Sequence, residues 1–540
     1  MKATIFSAGT WKRARLFAAA LGAMALVAVA APGLASAKPK AGELRSAASL
    51  RHADTAPISG AAKRAITYGY LVPHPHRYSL QKARVTRRNE ARHALAAPAA
   101  GGPLAPSKIR SWVGINNPNN APPDETSAVG TSRYIELVNS NFAVYNKTGN
   151  TPIGTGTLNA LVGAPSGVDV FDPQIMWDAQ TNRFYFAADA VVDPDTDNRV
   201  AFGFSKTATP TTAADWCQYN ISFGATFADY PKLGDSQHFA IIGTNLFSAA
   251  GNYLGSHIEA ISKPGGGSTC PAPSSFKADG KVVNGGFTPT PASEIDTNAT
   301  GWAVARTLGL PSTQLKLYKI TRNATTGDPV IGVTPTTVTV PSYTIPPSVP
   351  QKGTAFRIDS SDTRNTQAQA AIDPGHGNKF ALWTQHTVKG GAGAEVRWYE
   401  INPANHTMIQ QGKVTSPSLY EFNGAIAPNR LVKGSTKSGG SSMLMNFNTS
   451  SSSTFPSIKM VSKVGTAAQS GQVGVFTGTK PLTGFDCTAP APDPCRWGDY
   501  AAVTPDPSTA NRMWNVSQYG NGTVSSSFAT SKTLNFVAKP

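Results

Sequence analysis

From residue 109 onward, apolar positions come in short runs of about five, each fed by a polar turn, and helical periodicity is nearly absent. The clearest unit is Asp172-Pro-Gln-Ile-Met-Trp-Asp178-Ala-Gln-Thr-Asn182-Arg183-Phe-Tyr-Phe186. It predicts a strand, a tight turn and a second, aromatic strand. Asp and Pro set the start of the turn, and Asn tolerates the positive φ at its end. The phrase returns as Asp373-Pro-Gly-His-Gly-Asn378-Lys379-Phe-Ala-Leu-Trp383 and as Asp506-Pro-Ser-Thr-Ala-Asn511-Arg512-Met-Trp514. Asp178, Asp373 and Asp506 stand 195 and 133 residues apart, near multiples of about 65, a length that suits one unit of a repeat array.

With the phase set, weaker copies lead into Tyr134–Val138, Phe239–Ile242, Trp302–Ala305 and Met443–Phe447. Some units carry a further strand, such as Arg199–Phe204. The pattern predicts an all-β chain, a β-propeller of about seven blades built from short antiparallel strands. Six blades is the alternative count, and an irregular pair of β-sandwiches the alternative architecture.

Before the repeats the chain changes character. Residues 1–37 read as a secretory signal peptide: Lys12, Arg13 and Arg15, an apolar stretch Leu16–Ala31, then Ala35-Ser-Ala37 for cleavage. No later run approaches the roughly 20 apolar residues that span a bilayer, so the expectation is a secreted, extracellular protein and a monomer. Residues 38–108 read as a basic, Ala/Pro-rich leader or linker, expected to be disordered apart from a short basic helix near Arg84–Arg92. Residues 109–540 form the propeller domain.

Charge then changes the picture less than it promises. The net charge is +17, yet the signal and the leader hold most of it, and residues beyond 100 carry only +4. A nucleic-acid partner is therefore not expected. Four cysteines in an exported chain predict disulfides. Three pairings exist; Cys487–Cys495 would close a short loop and Cys217–Cys270 would join neighbouring units, and this is the preferred set.

Candidate chemistry follows from register. The first strand of each blade lines a propeller's channel, and its start rings one mouth. Aligning the units puts Asp124, Asp172, Asp229, Arg364, Trp497 and Asp499 there, with Ser293-Glu294-Ile-Asp296 as the fourth unit's start. Converging carboxylates repel unless a cation compensates, so Asp124, Asp172, Asp229 and Asp499 are candidate ligands for Ca²⁺. The competing reading is structural, each Asp bonding backbone N–H groups to hold a loop.

Pro122-Pro-Asp124…Ala128-Val-Gly130, Asp172-Pro…Trp177-Asp178, Asp229-Tyr-Pro-Lys-Leu-Gly234, Arg397-Trp-Tyr-Glu400 and Arg496-Trp-Gly-Asp-Tyr500 resemble a family of large secreted bacterial proteins described as sialidase-like β-propellers. The resemblance runs over roughly residues 110–525. It implies export and a propeller fold and no settled reaction. The repeated S-x-D-x-G-x-T-W turn of sialidases is not matched: Ser205-Lys-Thr-Ala-Thr-Pro-Thr-Thr-Ala-Ala-Asp-Trp216 lacks that spacing.

No G-x-S-x-G or H-E-x-x-H occurs. The sequence therefore favours a non-enzymatic propeller that binds a carbohydrate, a peptide or a cell-surface protein at the channel mouth. The alternatives are a glycoside hydrolase or lyase using paired aspartates, and a structural envelope or matrix protein.

Overall fold

The structure is a computed structural model, and it describes residues 50–52, 66–67, 71–90, 104–117, 119–433, 436–487, 494–525 and 528–540. The expected signal peptide lies outside these residues. Seven small antiparallel sheets follow one another as the blades of a β-propeller. Their innermost strands are Thr126–Val129, Asp169–Asp178, Phe227–Asp235, Gly286–Pro291, Asn365–Asp373, Tyr420–Lys433 and Ala502–Pro505, in blades 1 to 7. Blade 7 is completed from the other end of the domain: Ser107–Val113 pairs antiparallel with Phe528–Lys539.

Side chains alternate along a strand, so each blade has two faces, and both are buried. Phe184, Phe186 and Ala188 pack toward blade 1 with Trp177 and Trp216. Tyr185 and Ala187, between them in sequence, pack toward blade 3 with Ala240 and Ile242. Burial on both faces is why the strand reads as a continuous aromatic run. The same arrangement recurs between blades 4 and 5, 5 and 6, and 6 and 7. Trp112 and Trp514 of blade 7 meet Tyr134 and Tyr145 of blade 1, closing the ring.

The turn motif behaves as its chemistry requires. Asn182, Asn378 and Asn511 have φ of 54°, 55° and 55°. Asp178 accepts from the Gln180 N–H at 2.9 Å, Asp373 from Gly375 at 2.7 Å and Asp506 from Ser508 at 2.9 Å. A second role was not legible. Each turn carboxylate also faces a lysine at the end of the following blade's third strand. Asp178 meets Lys263 at 3.0 Å and Asp506 meets Lys147 at 2.6 Å. Lys463 lies in the field of Asp373.

The disulfides are Cys217–Cys270 and Cys487–Cys495, the preferred set. Two features differ from expectation. The fourth blade starts at Gly286-Phe-Thr-Pro289, not at Ser293-Glu294. The latter pair instead runs parallel to blade 5's innermost strand. In the leader, expected to be disordered, Pro75–Glu90 is a helix that begins nine residues before the basic segment assigned to it. Buried Val72, Lys82 and Thr86 fix it against the propeller, which composition alone does not reveal.

Blade 3 also holds a pair that resembles an ion pair and is not one. His257 Nε2 and Glu259 Oε2 are 3.7 Å apart. Burial pushes Glu259 up to about 8 and His257 down to about 4, so both are neutral at pH 7. An acid whose folded pKa is raised loses stability as pH climbs from its unfolded value to its folded one. The buried histidine acts below about 6.5, where the unfolded chain protonates first and the fold weakens as pH falls. Between pH 6.5 and 8 only the glutamate of this pair contributes. Wild type is therefore expected to lose about 2 kcal/mol more than Glu259→Gln across that interval, at ~1.4 kcal/mol per pH unit. Urea titrations at the two pH values check this; parallel losses in both proteins would refute it.

Candidate functional site: the helix-covered channel mouth

The innermost strands begin with a shared irregularity. Asp172, Tyr230, Thr288 and Asn423 all have positive φ, between 46° and 61°, and a register shift follows at each. Pro173, Pro231, Pro289 and Gly424 come next in sequence. Asp124 and Thr363 share the left-handed conformation in blades 1 and 5. Non-glycine residues in this region are strained by about 1–3 kcal/mol and persist only where surroundings hold them. A side chain of the preceding blade does so. Asn139 Oδ1 accepts the Asp172 N–H at 2.8 Å, Asn245 Oδ1 that of Thr288 at 2.8 Å, and Thr387 Oγ1 that of Asn423 at 3.1 Å.

These bulges bring the predicted residues to one mouth, but not as a single ring. Asp124 accepts from the Asp499 N–H at 2.7 Å and from Asn139 Nδ2 at 2.9 Å. Arg496 bridges Asp499 at 2.5 Å and Asp359 at 3.2 Å. Asp172 and Asp229 cluster with Asp189, their carboxylate oxygens all within 4.8 Å of one another, and Asp172 also meets the Asp124 carboxyl. Asp172 also accepts from the Tyr500 hydroxyl at 2.9 Å. The expected four-aspartate calcium set is thus only partly gathered: Asp124 takes a backbone N–H and an amide, and Asp499 faces a guanidinium.

Arg364 is buried. It binds Asp362 at 2.9 Å, which Arg306 also meets at 2.9 Å. The two guanidinium groups hold the Asp362 carboxyl well below its ordinary range despite burial. Trp497 holds a loop rather than facing the mouth. Its indole donates to Asn448 at 2.9 Å and its ring packs on Phe422.

Between these groups Tyr230 and Tyr500 stack with centroids 4.8 Å apart. Lys232 lies 3.6 Å from the Tyr500 ring centre and Arg364 4.3 Å from that of Tyr230. Burial drives the Lys232 ammonium well below its ordinary value. It has no hydrogen-bond partner among the described residues. Below it runs the channel, about 680 Å³ of open space, lined by Gln174, Thr366, Gln367, Gln369 and Arg430.

The helix Pro75–Glu90 covers this mouth. Lys82 Nζ donates to Ser360 Oγ at 2.7 Å and to the Ser361 carbonyl at 2.9 Å, and sits 3.4 Å from Asp359. Arg364 donates to the Leu71 carbonyl at 2.9 Å. Thr86 Oγ1 accepts the Ser348 N–H at 3.0 Å, and Asn89 donates to the Ala392 carbonyl and the Tyr420 hydroxyl. A continuous polar path therefore runs from Lys82 through Asp359, Arg496 and Asp499 to Asp124.

Sequence reasoning did not single out Lys82, Asp189, Tyr230, Lys232 or Asp359. The signal for Tyr230 was present, since a strand-initial residue before proline recurs in three successive blades. Asp189 was visible as a lone acid in the apolar run Ala187–Val191.

No family model matches the chain, and no curated protein matches it. Solved structures similar to it include an apocarotenoid oxygenase of Synechocystis, at 10% identity and a TM-score of 0.37, covering 65% of this chain and 71% of that one. A Hadza microbial sialidase matches at 9% identity and a TM-score of 0.35, covering 77% of this chain and 65% of the sialidase. Drosophila Plexin A, solved with Semaphorin 1b, matches at 7% and 0.35, covering 81% and 87%. At these levels the likeness concerns architecture and carries no activity or partner to this chain.

Proposed function

We propose that this is an exported, ligand-binding propeller whose mouth takes a polypeptide segment, with residues 71–90 occupying that position in the chain itself. The observation that supports the reading is the seating of this segment. A buried lysine reaches a carboxylate, and Arg364 and Asn89 exchange hydrogen bonds that involve main-chain carbonyls on either side of the contact. Such contacts suit a basic helical peptide better than a sugar.

The test uses the full exported chain. Lys82→Glu puts a carboxylate beside Asp359 and is expected to detach the helix, because an uncompensated buried charge costs about 3–5 kcal/mol. Hydrogen exchange should then show at least 100-fold faster exchange across residues 76–90, with the near-UV signal of the propeller retained. A labelled peptide of residues 71–90 should bind the variant and not the wild type. Equal binding to both proteins, or none to the variant, overturns the reading.

A second reading rests on the acid pair at the mouth. Burial and neighbouring carboxylates push Asp172 up to about 6 and raise Asp124 well above its ordinary value. A protonated acid beside an ionised one is the arrangement of a glycoside hydrolase. Hydrolysis of aryl glycosides by Lys82→Glu, lost in Lys82→Glu/Asp172→Asn, would favour it.

A further inference from the structure

The blades repeat closely enough for equivalent positions to be compared, and one comparison is unbalanced. In blades 2, 3, 4 and 6 the residue before the left-handed one is Phe171, Asp229, Phe287 or Phe422. Opposite them on the second strand stand Asp189, Asn245, Arg306 and Asn448. Each second-strand residue reaches toward the next blade's mouth. From blade 4 to blade 5 the two positions hold Arg306 and Asp362, which form an ion pair at 2.9 Å. From blade 2 to blade 3 the same two positions hold Asp189 and Asp229. An acid faces an acid where the step from blade 4 to blade 5 sets a base against an acid. Asp172, the left-handed residue of blade 2, adds a third carboxylate within 4.8 Å.

Asp189 is fully buried, and neither of its carboxylate oxygens has a hydrogen-bond partner among the described residues. The Tyr230 N–H faces it and favours its charged form without reaching hydrogen-bonding geometry. The equivalent Asn245 and Asn448 do the same work of holding the next blade with a neutral amide. Loop support therefore does not require a carboxylate at this position.

We propose that Asp172, Asp189 and Asp229 bind one hard divalent cation, with Ca²⁺ the fitting ion, between blades 2 and 3 beneath the mouth. The donor set is oxygen alone, which selects Ca²⁺ or Mg²⁺ over softer metals. Ligands of one Ca²⁺ ion at roughly 2.3–2.6 Å stand no more than about 4.6–5.2 Å apart, and the trio's carboxylate oxygens all lie within 4.8 Å of one another. A divalent ion would also relieve the repulsion among three carboxylates held so close together. This site stands apart from the polypeptide reading of the mouth.

The test is metal analysis and calcium titration of the full exported chain. Protein purified without chelator should carry one equivalent of Ca²⁺. After EDTA it should regain that equivalent on titration with CaCl₂, with a rise in melting temperature. Asp189→Asn, which installs the residue found in blades 3 and 6, should weaken calcium binding at least 10-fold, and Asp229→Asn should do likewise. Glu259→Gln, a buried acid of blade 3 outside the trio, should bind as wild type does. Absence of metal with no response to millimolar CaCl₂ or MgCl₂ overturns the proposal, because the trio is then held by protons. Equal affinity in Asp189→Asn and wild type overturns it too.

Discussion

Arg496→Leu is expected to lower the unfolding free energy by about 3–5 kcal/mol, the usual effect of removing one partner from a buried charge network. Arg496 is the cation that Asp359 and Asp499 share, at 3.2 Å and 2.5 Å, with side chains that are nearly solvent-free. It also lowers the carboxyl pKa of Asp124 against the burial that raises it. A leucine leaves Asp359 with Lys82 and leaves Asp499 only in the field of Arg364. Asp124 and Asp499, whose protons burial already favours against Arg496, would respond by binding them, so the variant's deficit should be larger at pH 7 than at pH 4.5. Arg496→Lys should fall between, since a single ammonium does not span both acids as a planar guanidinium does. Arg496→Leu/Asp499→Leu should recover part of the loss. Urea unfolding at both pH values measures the series, and a deficit below about 1 kcal/mol in the single variant would show that the network is solvated.

The second large effect concerns Cys217–Cys270. The bridge spans a sequence separation of 53, and loop-closure entropy in the unfolded chain puts its contribution at about 4 kcal/mol. Cys487–Cys495 spans only 8, for about 2.5 kcal/mol. Cys217 is buried in the cluster between blades 2 and 3, against which Cys270 and Phe276 also pack. Losing this bridge releases the connection that precedes blade 3's outer strand, Ala278–Val283. Paired alanine variants should therefore rank with Cys217/Cys270 the less stable in thermal and urea unfolding. The reverse order would mean that loop length does not govern these bridges.

How much was readable from the sequence divides along range of interaction. The hairpin turns were legible because their chemistry is local: Asp178, Asp373 and Asp506 bond backbone two residues on, and the closing asparagines take positive φ. Blade 4 was misplaced by its own composition. Gly286-Phe-Thr-Pro289 carries no acid, whereas Ser293-Glu294 does, and acids had served as the alignment mark. The mouth aspartates were found by register, yet their grouping was not. Which carboxylate meets Arg496 and which meets Asp189 depends on how neighbouring blades twist together. The helix was the least accessible feature. Lys82 and Ser360 are 278 residues apart, and nothing near Lys82 in sequence announces a buried partner.

One consequence lies in the order of assembly. Most blade contacts join residues close in sequence and can form as each hairpin emerges. Ser107 pairs with Lys539, so blade 7 lacks its outer strand until both ends of the domain are present. Contacts of such long range form late because chain entropy opposes them until the rest is in place. During synthesis the growing ring thus stays open, its terminal blades presenting unpaired edges. The completed ring is then the platform on which residues 71–90 settle last.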